Sequence, residues 1–145
     1  MVQTHPNFSG IWQLNIEKST LRSPVPGQTL MKIAHAEPKL VQRVLVIRND
    51  GSENELVFNY ETGNETTNHA GTRTVLSRAD WDGSELVIES WLQSKDREFH
   101  FKDHWALSSD GKTLTMTHRD GDLAGQVSVL HRASPESAAK FKTQE

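Results

Sequence analysis

The chain has 145 residues, a formal net charge of -3 and a sequence pI near 6.2, which suits one domain over 1–145 with a core of its own. No basic stripe is present, so nucleic acid and anionic membrane surfaces are excluded as partners; both need clustered Lys and Arg. No apolar run nears the ~20 residues that span a bilayer, and the absence of cysteine rules out disulfides and thiolate metal sites.

The polar start "MVQTHPNFSG" lacks a signal peptide's apolar stretch. It reads as a cytosolic start, or as a mature sequence carrying an added Met. Helical periodicity is nearly absent after it. Short alternating or apolar runs followed by turn residues predict strands at 10–15, 29–37, 40–48, 54–60, 72–80, 85–92, 97–107, 112–119 and 125–132. The first run places Gly10, Ile11 and Trp12 together. A Trp needs apolar space and a partner for its N–H, and a Gly before it lets the backbone turn or pass close to something.

The segment 16–28 holds two prolines and predicts a longer connection with room for one helical turn. The later breaks "RNDGSEN", "ETGNE", "WDGSE", "SSDGKT" and "RDGD" supply the positive φ of hairpins. Near the end, Ser134 as N-cap and Pro135 at the first helical position predict a short terminal helix. A run of hairpins implies an antiparallel meander, and closing it removes exposed edges. The fold predicted is all-β: a single up-and-down antiparallel β-barrel of about eight to ten strands with a short C-terminal helix. A β-sandwich needs longer mid-chain crossovers than the chain offers.

Gly10 and Trp12 on the first strand, with Arg132 in "SVLHRAS" on the last, resemble the calycin superfamily of lipocalins and fatty-acid-binding proteins. The segments "NFSGIWQLNIEKS" (7–19), "WDGSELVIE" (81–89) and "WALSSDGKTLTMT" (105–117) resemble bacterial lipocalin-like proteins of similar length. The resemblance implies that Trp12 closes the narrow end of the barrel and that Arg132 packs across its indole. It also favours export, giving a periplasmic or secreted protein and otherwise a cytoplasmic one. Gln13 to Asn15 lack the second glycine pair of heme-binding nitrobindin-like barrels. No cofactor and no metal is expected.

Side chains alternate along a strand. With Trp105 inward, Phe101 and Asp103 also point in, while His100 and His104 point out. Those two histidines would lie roughly 13 Å apart on a strand, too far to share an ion. Met116 and His118 share a face on the next strand, as do His35 with Met31 and Ile33, and Tyr60 with Phe58. At 85–92 either Glu89 and Trp91 or Ile88 and Ser90 face in; the last strand offers His131 or Arg132. The registers of 40–48, 85–92 and 125–132 stay open.

These residues define a candidate site: Asp103, His118 and Tyr60 as potential catalytic groups, and His35, Phe58, Trp91, Phe101, Trp105, Met116 and His131 as ligand contacts. Convergent polar groups in an apolar cavity are what a ligand site needs. Pairing about "SSDGKT" brings Asp103 opposite His118, and a carboxylate on an imidazole sets its tautomer. The leading function is binding of a small apolar or aromatic molecule, as carrier or sensor. The second is an enzyme catalysing isomerisation, elimination or hydration of a similar molecule, with His35 or Tyr60 donating to a developing oxyanion. The third is a filled barrel with a purely structural role. The segments 16–28 and 63–71 are candidates for the rim.

Overall fold

The Gly residues of the turn motifs decide where the chain reverses. Gly51, Gly63, Gly83 and Gly111 have φ of 89°, 83°, 64° and 74°, where a Cβ is strained. The computed structural model describes residues 5–21, 27–70, 73–94, 97–120 and 125–141. The turn expected at "RDGD" and part of the 16–28 connection fall outside them.

The strands are β1 (Gly10–Leu14), β2 (Gln28–Ala36), β3 (Lys39–Ile47), β4 (Glu53–Glu61), β5 (Glu65–Ala70), β6 (Arg73–Asp82), β7 (Glu85–Ser94), β8 (Arg97–Leu107), β9 (Thr113–Asp120) and β10 (Gln126–Arg132). They form one sheet in the order β4-β3-β2-β1-β10-β9-β8-β7-β6-β5. Neighbours in sequence are neighbours in space, and β1 pairs with β10. The result is the expected up-and-down antiparallel barrel, nearly closed.

Nine strands are predicted and ten are present among the described residues. The extra one, β5, occupies most of the segment read as a rim loop. Its sequence, Glu-Thr-Thr-Asn-His-Ala, has no apolar alternation. Backbone pairing with β6, from Glu65↔Arg78 to Ala70↔Arg73, makes it a strand.

β4 and β5 are the two edges, and a side chain joins them. Asn68 is buried. Its Oδ1 accepts from the Asn59 backbone N–H at 2.7 Å, and its Nδ2 donates to the Asn59 carbonyl at 2.9 Å. One amide thus copies a strand's pair of ladder bonds and draws the barrel closed.

Register settles the faces left open. Ile33 lies opposite Gln42 and Met31 opposite Val44, so Leu40, Gln42 and Val44 face in. Ile88 lies opposite Asp103 and Ser90 opposite Phe101, so Ile88 and Ser90 face in and Trp91 faces out. On β10 the pairing with β9 is continuous from Gln126 to His131, with Ser128, Leu130 and Arg132 inward.

The closed end is packed solid. Phe8, Trp12, Leu86, Leu114 and Leu130 are fully buried there. The Trp12 Nε1–H donates to the Phe8 carbonyl at 3.0 Å. Arg132 sits 3.9 Å from the Trp12 ring centroid and donates to the carbonyls of Ser9 (2.8 Å) and Gly111 (3.2 Å). Gly10 has φ of 143°, and a Cβ there would collide with the Arg132 Nη1. Glycine at this position makes room for the arginine, and the resemblance placed both residues rightly.

The terminal helix α1 (Pro135–Ala138) forms where its cap predicts. The Ser134 Oγ accepts from the Ser137 N–H at 3.2 Å. Beyond it Phe141 seals an outer apolar patch against Leu30 and Leu45.

Candidate ligand-binding cavity

Above this packed floor the interior is open, which the filled-barrel expectation did not allow. A cavity of about 420 Å³ is walled by Met31, Phe58, Ile88, Phe101, Trp105 and Met116 among others. Polar groups on the same wall are Gln42, Tyr60, Ser90, Asp103, His118, Gln126 and Ser128, with Arg73 at an exposed position.

Asp103 and His118 are directly opposite on β8 and β9. The hairpin through Ser108 and Gly111 sets that register. Ser108 Oγ accepts from the Thr113 N–H and donates to Asp110, which fixes the turn. The Asp103 Oδ1 and His118 Nδ1 lie 2.7 Å apart, with the two side chains 28% and 33% exposed. They are therefore half-buried and turned toward the cavity. Phe101 leans on the imidazole at 5.2 Å.

Tyr60 is packed edge-on against Trp105, with centroids 6.2 Å apart at 90°, and stacks along Phe58. Burial, reinforced by the negative charge of Asp103, pushes its phenol well above the usual range. It stays a neutral O–H at any physiological pH. Gln42 donates weakly to the Met31 thioether at 3.4 Å. Ser90 shares a buried 2.9 Å bond with Ser77.

Seven predicted residues thus line one cavity: Phe58, Tyr60, Phe101, Asp103, Trp105, Met116 and His118. Three do not. His35 is buried at the closed end, stacked beside Phe8 at 5.7 Å. Its Nδ1 accepts from the Phe8 N–H at 3.2 Å, and its Nε2 lies 2.9 Å from Glu37. An accepting Nδ1 leaves the proton on Nε2, which donates to Glu37. Both ring nitrogens are committed to structure, and His35 does not line the cavity.

Trp91 stands on the outer face, stacked on His100 at 5.3 Å. His131 also points outward, because Leu130 and Arg132 point in; it lines a surface cleft with Gln13 and Gln28. That cleft is open to solvent along the outer wall. His35, His118 and His131 therefore do not converge. Among the described residues no group of three metal-ligating side chains is placed to hold an ion.

Gln42, Arg73, Ser90, Gln126 and Ser128 were missed. For Ser128 the signal was present: an inward Arg132 implies an inward residue four positions earlier. Ser90 and Gln42 lie on runs apolar on both faces, where alternation is silent. Arg73 stands beside the polar β5.

No protein-family model matches the chain, and no curated protein does. Solved structures do resemble it. Secretory abundant heat soluble protein 4 from Ramazzottius varieornatus superposes with a TM-score of 0.68 at 13% identity, over 92% of this chain and 100% of that one. Fatty-acid-binding protein 1 of Echinococcus granulosus gives 0.62 at 13% identity, over 88% and 98%. The Schistosoma mansoni fatty-acid-binding protein in complex with arachidonic acid gives 0.62 at 16% identity, over 88% and 96%. At these identities the likeness is one of fold alone: the chain shares the up-and-down barrel architecture of these proteins.

Proposed function

We propose that the barrel binds a small apolar or aromatic molecule in its interior, as a carrier or sensor. The observation that carries this reading is the cavity of about 420 Å³ above a solid floor. Its walls are apolar and aromatic, and a few polar groups converge on them, which is the composition of a small-molecule site. The fatty-acid-binding neighbours support the reading by shape. Titration of the intrinsic Trp fluorescence with a panel of apolar and aromatic compounds tests it, since Trp105 forms part of the wall. A saturable change with at least one compound is expected. Silence across the panel would overturn the proposal.

A second reading, that the cavity is catalytic, is favoured by the 2.7 Å contact of Asp103 with His118. An ionised Asp103 accepts from Nδ1–H and so makes Nε2 the basic nitrogen. Tyr60 would donate its O–H to a developing oxyanion. The chemistry would be isomerisation, elimination or hydration of an apolar substrate. A turnover found with any such substrate should fall by about a hundredfold or more in Asp103→Asn. Turnover unchanged in that variant would remove the pair from catalysis.

A further inference from the structure

The interior differs from a site for fatty-acid carboxylates in the charge it presents, and this inference rests on the binding reading above. Three arginines stand on inward-facing positions among the described residues, and one of them, Arg97, is exposed at the first position of β8, over the Phe99 ring. Arg132 is locked beneath the floor on Trp12 and on the carbonyls of Ser9 and Gly111. Arg73 is exposed, at the first position of β6. In the body of the cavity the formal charge is the Asp103 carboxylate, with His118 tied to one of its oxygens.

A carboxylate has about four acceptor positions, and His118 uses one. Gln42 commits one Nε2–H to a thioether and keeps its second N–H and its carbonyl oxygen. The Tyr60 hydroxyl makes no hydrogen bond to the described residues and stays protonated. A ligand carboxylate brought down to this level would face Asp103 in a poorly solvated space, with no arginine to offset the repulsion. A hydroxyl or amine would instead donate to Asp103, and a hydroxyl would also accept from Tyr60. We infer that the cavity selects apolar molecules whose polar end donates a hydrogen bond, an alcohol or an amine, over the carboxylate of the same chain, and that Asp103 makes the selection.

The test is competition against a neutral fluorophore such as Nile red, using decan-1-ol, decylamine, decanoate and decane. Mildly alkaline buffer keeps decanoate ionised. The alcohol and the amine should bind about tenfold or more tightly than decanoate, the scale of one hydrogen bond to a charged group. Asp103→Asn should bring decanoate to within about threefold of the alcohol. Tyr60→Phe keeps the ring packing and should weaken the alcohol about threefold or more, leaving decane unchanged. The inference is overturned if decanoate or decane matches the alcohol in the wild type. It is also overturned if Asp103→Asn, folded by circular dichroism, leaves the ratio unchanged. If the fluorophore and all four compounds fail to bind, the binding reading itself falls.

Discussion

Arg132 lies over Trp12 with its guanidinium carbon 3.9 Å from the ring centroid, tying the last strand to the first. The same guanidinium holds the carbonyls of Ser9 and Gly111, so one side chain joins the N-terminal segment, β10 and the β8–β9 turn. Arg132→Met should therefore cost about 2 kcal/mol, from the cation–π contact and the two charge-assisted bonds. Arg132→Lys should recover only part, because an ammonium cannot serve both carbonyls and the ring at once. Gly10→Ala should destabilise at least as much, since its Cβ meets Arg132 on a backbone of positive φ. Urea unfolding of the three variants checks these values. A loss in Gly10→Ala below that of ordinary surface substitutions would contradict the account of the floor.

Among the described residues, the Asn68 amide joins β4 to β5 across their seam. Asn68→Ala should raise the exchange rate of the Asn59 amide hydrogen by about tenfold and cost about 1 kcal/mol of global stability. The cost is small because Asn59 is exposed, and water replaces the lost partner. Hydrogen exchange resolved to single amides reads the effect directly. Unchanged protection at Asn59 would mean that the seam is held elsewhere.

How much of this was legible in the sequence depends on which rule applied. Asp-Gly turns announce hairpins locally, so the meander could be read strand by strand. Asp103 and His118 could be paired because a short turn joins their strands and both runs alternate. β5 could not be read, because its six residues are polar and its strand character comes from pairing with β6. Trp91 was misplaced because β7 is apolar on both faces, where alternation gives no answer. His35 was placed on the correct face but at the wrong height: alternation tells in from out and says nothing of depth along the barrel.

Acid should weaken the closed end through Glu37. Its carboxylate accepts from His35 (2.9 Å), Thr62 (2.8 Å) and Trp81 (3.2 Å). Partial burial pulls the carboxyl upward, but these three partners outweigh it and hold it below the usual value of 4.5. A group with a depressed folded-state value stabilises the fold above its unfolded-state value. That contribution is lost as pH falls through the depressed value. The Tm difference between the wild type and Glu37→Ala should therefore be full near neutrality and shrink in acid, below about pH 4. Thermal melts across that range measure it. A difference constant down to the lowest pH would contradict this role for Glu37.

The central claim is that the open interior is a binding cavity, and a substitution that fills it gives the most direct test. Ser128 faces the cavity from β10, and Ser128→Phe adds an aromatic ring to the space while keeping a residue suited to a strand. The measurement is calorimetric titration of a neutral apolar ligand into the wild type and into Ser128→Phe, with circular dichroism to confirm that both are folded. The wild type should bind saturably at one site, and Ser128→Phe should lose about tenfold or more in affinity. Equal affinity in the two proteins, or no saturable binding by the wild type, would contradict the claim.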